Sequence, residues 1–161
     1  MKNKMTEKLF ELAHTDSMTE VQNRNAYEER LKKLRKPNAN ISRITVIVVD
    51  VNGLKEINDS YGHFCGDDAI KTVAKALKDT IGLKADIYRI GGDEFVCISE
   101  SNVLPYISQF KDTIYFINNE KLYNLSVSIG YSRFHEKYSK SIDDIICRAD
   151  EKMYKDKKSK K

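Results

Sequence analysis

The residues that most directly suggest chemistry are two glycines followed by two carboxylates, Gly-Gly-Asp-Glu at 91–94. They stand between short apolar runs at 87–90 and 95–98, a pattern typical of a β-hairpin. Glycines at a hairpin turn permit positive φ and let the backbone come close to a bulky ligand. Adjacent carboxylates supply the hard oxygen ligands that Mg²⁺ takes together with the phosphates it carries. The pattern therefore predicts a site for a metal ion and a phosphate at this turn.

A third carboxylate, Asp50, ends a run of mostly β-branched residues at 44–49 that predicts a central strand buried on both faces. If that strand lies beside the hairpin in the sheet, Asp50 would face Asp93 and Glu94. Three converging carboxylates repel each other unless a divalent cation lies among them. Alone, Asp50 would be a strand-ending turn residue. Beside the two hairpin acids, a cation site is the better interpretation.

The elements that must position these acids follow from hydrophobic periodicity. It predicts helices over 5–15, 25–35, 67–81 and 104–118 and one starting at a capping box at 141–144, and strands over 44–49, within the hairpin at 86–99 and over 125–131. We expect Gly82 to be the C′ residue that ends the third helix. Without the outer helices the order is β-α-β-β-α-β, which predicts an α+β, ferredoxin-like or palm-type sheet with flanking helices.

The bulk properties are those of an ordinary globular domain: 161 residues, 40% hydrophobic and 32% charged. No apolar run approaches the ~18 residues needed to cross a bilayer, and no signal-peptide pattern opens the chain. We therefore expect a cytoplasmic protein without membrane contact. Most of the net charge of +4 belongs to the last twelve residues, which hold six lysines against three acids. No basic stripe with interleaved aromatic residues lies outside this tail, so a nucleic-acid partner is not expected.

Several motifs together resemble the GGDEF family, bacterial diguanylate cyclases that join two GTP molecules into cyclic di-GMP. The family's name is read directly in the pentapeptide at 91–95, Gly-Gly-Asp-Glu-Phe. The likeness extends to four further stretches, at 16–24, 50–67, 126–131 and 149–154, and so to nearly the whole chain. It implies the end of a helical stalk or linker at 1–15 and a GGDEF catalytic domain over 16–161.

The resemblance implies that Asp50, Asp93 and Glu94 are the catalytic carboxylates. It implies that these three side chains and the backbone carbonyl of Val51 are the ligands of the metal ion. Glu94 would be a second metal ligand or would assist deprotonation of the attacking hydroxyl, and the sequence does not choose between these roles. The implied cofactor is Mg²⁺, with Mn²⁺ as an alternative ion.

The resemblance also implies the substrate contacts. Asn58 and Asp67 match the pair that reads guanine, and a carboxylate accepts well from the N1–H and N2–H of that base. Asp67 therefore favours GTP over ATP, although it would also serve as the cap of the following helix. The other implied contacts are Lys55, Lys157 and Lys161 near the phosphates, and Gly91 and Gly92 beside the triphosphate or ribose.

Three positions depart from the family pattern. Glu20 replaces a glycine in the stretch at 16–24. Lys161 stands where a phosphate-binding arginine is expected, so the charge is kept but the bidentate fork is lost. Residues 82–85 read Gly-Leu-Lys-Ala where many members carry an Arg-x-x-Asp inhibitory site. We therefore expect no product inhibition through that site.

The function implied is a Mg²⁺-dependent condensation of two GTP into cyclic di-GMP, with release of two pyrophosphates, by a transient homodimer of GTP-loaded protomers. An upstream sensor domain outside these residues would control it. One alternative is a catalytically weak module that binds GTP or a cyclic dinucleotide for regulation. Another is an enzyme that makes a mixed or adenine-containing cyclic dinucleotide, against which Asp67 speaks.

Overall fold

The computed structural model describes residues 2–161, with side chains from residue 3 onward, so position 1 of the predicted stalk segment lies outside it. The elements in chain order are α1 (Lys2–His14), α2 (Arg24–Leu34), β1 (Thr45–Val51), α3 (Leu54–Tyr61), α4 (His63–Asp79), a 3₁₀ turn (Ile81–Leu83), β2 (Asp86–Arg89), β3 (Glu94–Ser99), α5 (Leu104–Asn118), β4 (Val127–Arg133) and α6 (Ile142–Ser159). The predicted α+β class is confirmed.

The strands of residues 2–161 form one antiparallel sheet in the order β2-β3-β1-β4. β1 is central, and β2 and β3 form the predicted hairpin beside it. The expectation that the first strand lies next to the hairpin is therefore confirmed. β4 pairs with β1 on the other side and has no strand beyond it in the described part of the chain.

Each face of the sheet buries a separate apolar cluster. One cluster joins Ile47, Val49 and Val51 to apolar residues of α3, α4 and α5. The other joins Val46 and Val48 to apolar residues of α2 and α6. Because successive side chains of a strand point to opposite faces, the even-numbered residues of β1 all point toward α6, and Asp50 is the last of them.

The helix boundaries near the site differ from the prediction. β1 continues through Asp50 to Val51 because its ladder with β4 extends to the pair Val51–Val127, although the apolar pattern breaks at Asp50. The following stretch contains a helix of its own, α3, which begins after Gly53 in a left-handed conformation (φ 63°). α4 starts at His63, earlier than predicted, and ends at Asp79.

Gly82 does not end α4 as a C′ residue. The helix has its C-cap at Thr80, and Gly82 lies inside the 3₁₀ turn that follows. The Thr80 hydroxyl donates to the Ala76 carbonyl at 2.7 Å and so satisfies one of the last carbonyls of the helix.

α1 confirms the helical pattern at the start of the chain, and its apolar side chains are largely exposed. Met5, Leu9 and Leu12 are each more than 60% exposed. The helix contacts the rest of the protein mainly near its end, where Asn23 donates to the carbonyl of Ala13 at 2.9 Å. Within residues 2–161, no helix has the length and apolar character needed to cross a membrane.

Candidate active site

The centre of the site is a pair of carboxylates that face each other across two strands. The β1–β3 register places Asp50 directly opposite Glu94, on the sheet face that α6 covers. The side chain of Asp50 is only 9% exposed, and Glu94 is half-buried. Burial raises the pKa of both carboxyls, and the neighbouring acids raise the pKa of Glu94 further. Like charges directly opposite each other destabilise a sheet, so this pair needs a cation.

Lys157 supplies one positive charge. It reaches over from α6, and its Nζ donates to Asp50 Oδ1 at 2.8 Å. This hydrogen bond raises the pKa of the Lys157 ammonium and opposes the upward shift of the pKa of Asp50. The pKa of Asp50 stays raised despite this lysine, mainly because the carboxyl is buried and further because Asp93 is near.

Two further acids add to the negative charge. Asp93 precedes Glu94 at the hairpin turn, and Asp150 lies two helical turns before Lys157 on α6. Asp93 and Asp150 both contribute to the raised pKa of Asp50 and of Glu94. Sequence reasoning did not name Asp150 as a site residue. Its seven-residue spacing from Lys157, which places both on one face of a helix, was the available signal.

The acids fit a hard divalent cation by their chemistry. In the described residues, no three or more His, Cys, Asp or Glu side chains are already gathered closely enough to hold a metal ion. However, Asp50 and Glu94 lie opposite each other and Asp93 precedes Glu94 at the turn. Burial, and then the neighbouring acids, raise the pKa of Asp50 and Glu94, and a bound cation would oppose both effects. The Val51 N–H donates to the Asp93 carbonyl at 2.8 Å and holds the hairpin turn against β1.

A cleft of about 600 Å³ opens beside these acids. It is bounded by the β1–α3 turn, one face of α3, the chain before β4 and the end of α6. Among the predicted site residues it is lined by Val51, Lys55, Asp93, Lys157 and Lys161. These three predicted lysines, in one cleft beside a carboxylate cluster, suit a polyphosphate that carries its own metal ion.

Other residues of the cleft were not predicted. Asn52 donates to the Ser126 hydroxyl at 3.0 Å, and both residues line the cleft. Lys160 also lines it. α3 begins here with no side-chain cap at Gly53, and the uncapped N-terminus of a helix attracts phosphate. The signal missed in the sequence was the helix start itself, because the segment was interpreted as a connection.

The predicted guanine-reading pair lies elsewhere. Asn58 and Asp67 do not line the cleft. Asn58 lies where α3 and α4 pack together, because Gly66 lies against the Asn58 side chain so closely that a Cβ at position 66 would overlap the carboxamide. Asp67 is exposed and lies in the second turn of α4. The interpretation of Asp67 as a helix cap is therefore wrong, since the helix starts at His63.

The two glycines of the hairpin turn are exposed and do not line the cleft. Neither uses the positive φ that glycine permits, since among the described glycines only Gly53 and Gly62 adopt it. A Cβ at Gly92 would meet nothing within 4 Å. The glycines therefore leave open space at the turn, and the turn geometry does not depend on them.

Arg89 connects the hairpin turn to the segment at 16–24. Its guanidinium donates to the Gly92 carbonyl at 2.9 Å and to Asp16 Oδ2 at 3.1 Å. Asp16 also accepts from the Thr19 hydroxyl at 2.6 Å, in a turn where Glu20 has a left-handed backbone (φ 61°). The stretch at 16–24 thus holds the hairpin in place. Its motif was noticed in the sequence, but its contact with Arg89 was not.

Comparisons with known proteins find relatives by sequence and by fold. A family profile described as "Diguanylate cyclase, GGDEF domain" matches residues 13–161. A probable diguanylate cyclase of Escherichia coli K12, DgcI, is 33% identical over 153 residues, which cover 94% of this chain and 33% of that protein. A diguanylate cyclase of Vibrio cholerae serotype O1 is 31% identical over 170 residues, covering 96% of this chain and 50% of that protein. The chain thus spans a third to a half of these relatives.

The fold is shared with a solved structure of the coiled coil and GGDEF domain of DgcB from Caulobacter crescentus in complex with c-di-GMP. The TM-score is 0.80 at 22% sequence identity, and the match covers 98% of this chain and 87% of that one.

Proposed function

The chain belongs to the GGDEF family of diguanylate cyclases, and we propose that it joins two GTP molecules into cyclic di-GMP with release of two pyrophosphates. The observation that carries this proposal is the Asp50–Glu94 pair, set opposite each other beside Asp93 and a cleft lined by lysines. Such a pair of like charges destabilises the sheet. A cation bound between the carboxylates, together with the polyphosphate it carries, would remove the repulsion.

We assign the metal to Asp50, Asp93 and Glu94, together with the backbone carbonyl of Val51. A Mg²⁺ ion held there, or Mn²⁺ in its place, would draw negative charge from the α-phosphate and orient the leaving pyrophosphate. Glu94 is half-buried with a raised pKa, which suits it to accept the proton of the attacking 3′-hydroxyl as well.

We assign the phosphates to the lysines of the cleft and the base to the α3–α4 junction. Lys157 is already held beside Asp50 at 2.8 Å, from where a phosphate oxygen would be a second partner. Lys55 and Lys161 line the same cleft. Asn58 and Asp67 would read the guanine edge, and Gly91 and Gly92 would leave room beside the triphosphate or ribose.

The reaction needs two copies of the chain. One protomer presents one hairpin turn and one lysine-lined cleft, so a single copy holds one GTP. The 3′-hydroxyl of each GTP would attack the α-phosphate of the other when two loaded protomers face each other. Positioning and electrostatic stabilisation would supply most of the rate. The predicted stalk end at 1–15 would then connect this domain to a sensor in a longer cytoplasmic protein.

Incubation with GTP and MgCl₂ at several protein concentrations tests the proposal, with pyrophosphate followed continuously and the nucleotide product identified by mass. We expect cyclic di-GMP, formed with more than first-order dependence on protein, and no product from the Asp93→Asn variant. Asp59→Asn, which changes an exposed acid on α3, is the matched control and should keep its activity.

Two other outcomes would reject the cyclase assignment. GTP binding without pyrophosphate release at any protein concentration would identify a regulatory binding module. A product containing adenine, formed from an equal mixture of GTP and ATP, would identify an enzyme that makes a mixed or adenine-containing cyclic dinucleotide.

A further inference from the structure

Two side chains at the end of α6, Asp156 and the C-cap residue Lys160, bind backbone groups along the free edge of β4. β4 is an edge strand of the described sheet, so alternate N–H and C=O groups along it point away from β1. Two of these groups have partners on α6: the Ile129 N–H donates to Asp156 Oδ2 at 2.9 Å, and the Val127 carbonyl accepts from Lys160 Nζ at 2.6 Å. Unpaired edge groups invite pairing with other chains, and here they are used internally.

Asp156 and Lys160 also bind each other. Lys160 Nζ lies 2.8 Å from Asp156 Oδ2, at the i,i+4 spacing of one helix face. Burial alone would raise the pKa of Asp156, but the hydrogen bonds from Lys160 and the Ile129 N–H lower it. The two side chains and the two backbone groups thus form one connected unit, which we call the edge clasp.

The edge clasp holds the part of α6 that apolar packing does not hold. The buried residues of α6 are Ile142, Ile145, Ala149 and Met153. From position 154 onward α6 buries no side chain. Helix ends separate from the fold readily unless side chains or backbone groups tie them down. Asp156 and Lys160 tie this last segment to the edge of β4, and Lys157 ties it to Asp50 of β1.

Lys157 lies between the two members of the edge clasp, and its Nζ reaches Asp50 across the sheet. We propose that Asp156 and Lys160 are positioning residues: by fixing the last turn of α6 to the edge of β4, they place Lys157 at the carboxylate pair and Lys161 in the phosphate cleft. The role rests on the proposed function, because it concerns the binding of the phosphates of GTP. Asp156 does not line the cleft, whereas Lys160 does, so the Asp156 variants report positioning without loss of a direct phosphate contact.

Binding of Mg²⁺·GDP and of guanosine to the full chain, measured by calorimetry, tests the proposal. GDP carries the phosphates that the lysines would hold, whereas guanosine carries the base alone. We expect Asp156→Ala and Lys160→Met to weaken Mg²⁺·GDP binding about five- to twenty-fold, because each removes a charge-assisted hydrogen bond that fixes the helix end. Guanosine binding should stay within about twofold, the change expected of a site that has not lost a contact.

The sign of the Asp156 effect separates positioning from plain electrostatics. Removing a negative charge near bound phosphate would strengthen binding by Coulomb's law, whereas the edge clasp requires weaker binding. Asp156→Asn keeps an acceptor for the Ile129 N–H and should recover part of the affinity. Lys155→Met, which removes an exposed lysine of the same helix, is the matched control and should leave the affinity unchanged.

Amide hydrogen exchange reports the edge clasp without any nucleotide. The Ile129 N–H should exchange about tenfold faster in Asp156→Ala, since its partner is gone. If that variant does not fold, Asp156→Asn decides, by a smaller loss of Mg²⁺·GDP affinity in the same direction. Unchanged Mg²⁺·GDP affinity in the folded variants would overturn the positioning role of the edge clasp and leave the proposed cyclase activity untouched. A wild-type chain that binds Mg²⁺·GDP but makes no cyclic di-GMP overturns the proposed cyclase and leaves the edge clasp to be judged by binding.

Discussion

At the scale of the residue, the site is built at a cost to stability. Asp50 and Glu94 share one face of the sheet in directly opposite positions, and burial raises the pKa of each carboxyl. Lys157 relieves Asp50 through its hydrogen bond at 2.8 Å. Lys157 also lowers the pKa of Glu94, but burial and the neighbouring acids keep that pKa raised. Functional sites often keep such unfavourable charges because the ligand removes them.

Replacing Glu94 should therefore stabilise the fold while it removes the activity. For Glu94→Gln we expect the free energy of unfolding without Mg²⁺ to rise by about 0.5–1 kcal/mol, the range of a cross-strand charge pair. We also expect Mg²⁺ to stabilise the wild type more than the variant, since a ligand that binds the folded state stabilises it by mass action. Urea denaturation with and without Mg²⁺ measures both effects.

The exposed acid Glu120 offers the control. Glu120→Gln should change neither the stability nor the response to Mg²⁺. If Glu94→Gln proved less stable than the wild type, the carboxylate would have a stabilising partner that the structure does not show.

A second residue carries backbone strain. Glu20 has φ 61°, a left-handed conformation that costs a residue with a Cβ roughly 1–2 kcal/mol. Glu20→Gly should raise the free energy of unfolding by about 0.5–1 kcal/mol, because part of the relief is lost to the greater freedom of glycine in the unfolded chain. Thermal unfolding measures the change.

Glu20→Ala separates strain from charge. The Glu20 carboxylate lies 3.9 Å from Lys78, and its side chain is 82% exposed, so this ion pair contributes little. Alanine keeps the strain and should give no gain. Equal stability of the glycine and alanine variants would show that strain at this position does not limit the fold.

At the scale of the element, α6 positions two of the charged groups of the site. It carries Asp150 and Lys157, and it packs closely on β4 because Gly130 has no side chain. A Cβ at position 130 would overlap the backbone of α6 at Ala149, Lys152 and Met153. Backbone cannot move aside as the end of a flexible side chain can, so the glycine sets the distance between the helix and the sheet.

Gly130→Ala should consequently destabilise the protein by about 2–3 kcal/mol, as overpacking of a core does. It should also weaken Mg²⁺·GDP binding, because Lys157 would move away from Asp50 together with the helix. Gly92→Ala is the matched change at the hairpin turn, where a Cβ has open space, and its stability should stay close to that of the wild type. Urea denaturation compares the two, and equal stabilities would mean that α6 shifts without cost.

At the scale of the whole molecule, regulation depends on surfaces away from the cleft. Residues 82–85 lie at the 3₁₀ turn and at the start of the hairpin, and they lack the arginine and the aspartate of the family's inhibitory site. We expect added cyclic di-GMP to produce no tight non-competitive inhibition. Initial rates measured at fixed GTP over a range of cyclic di-GMP concentrations check this. Tight non-competitive inhibition would locate a product site in another part of the protein.

The sequence alone determined the class of fold and most of the residues of the site. Periodicity and turn residues are local signals, and they were sufficient for the hairpin, the β-α-β-β-α-β order and the central first strand. The motifs named Asp50, Asp93, Glu94 and Lys157, which the structure brings together. Local signals were weaker at boundaries: β1 extends past the end of its apolar run because β4 pairs with it, and the Gly91 and Gly92 turn does not use the positive φ that glycine permits.

Only the tertiary structure decided how these residues meet. Asp50 lies opposite Glu94 because of the β1–β3 register, and Lys157 reaches Asp50 across 107 positions of the chain. In the sequence, Asp156 and Lys160 are ordinary charged residues of a lysine-rich helix end. Only the structure shows that they bind the backbone of β4. Register and helix docking are fixed by the packing of both faces of the sheet at once. Contacts of this kind leave no repeating pattern in a single sequence, so a local reading cannot contain them.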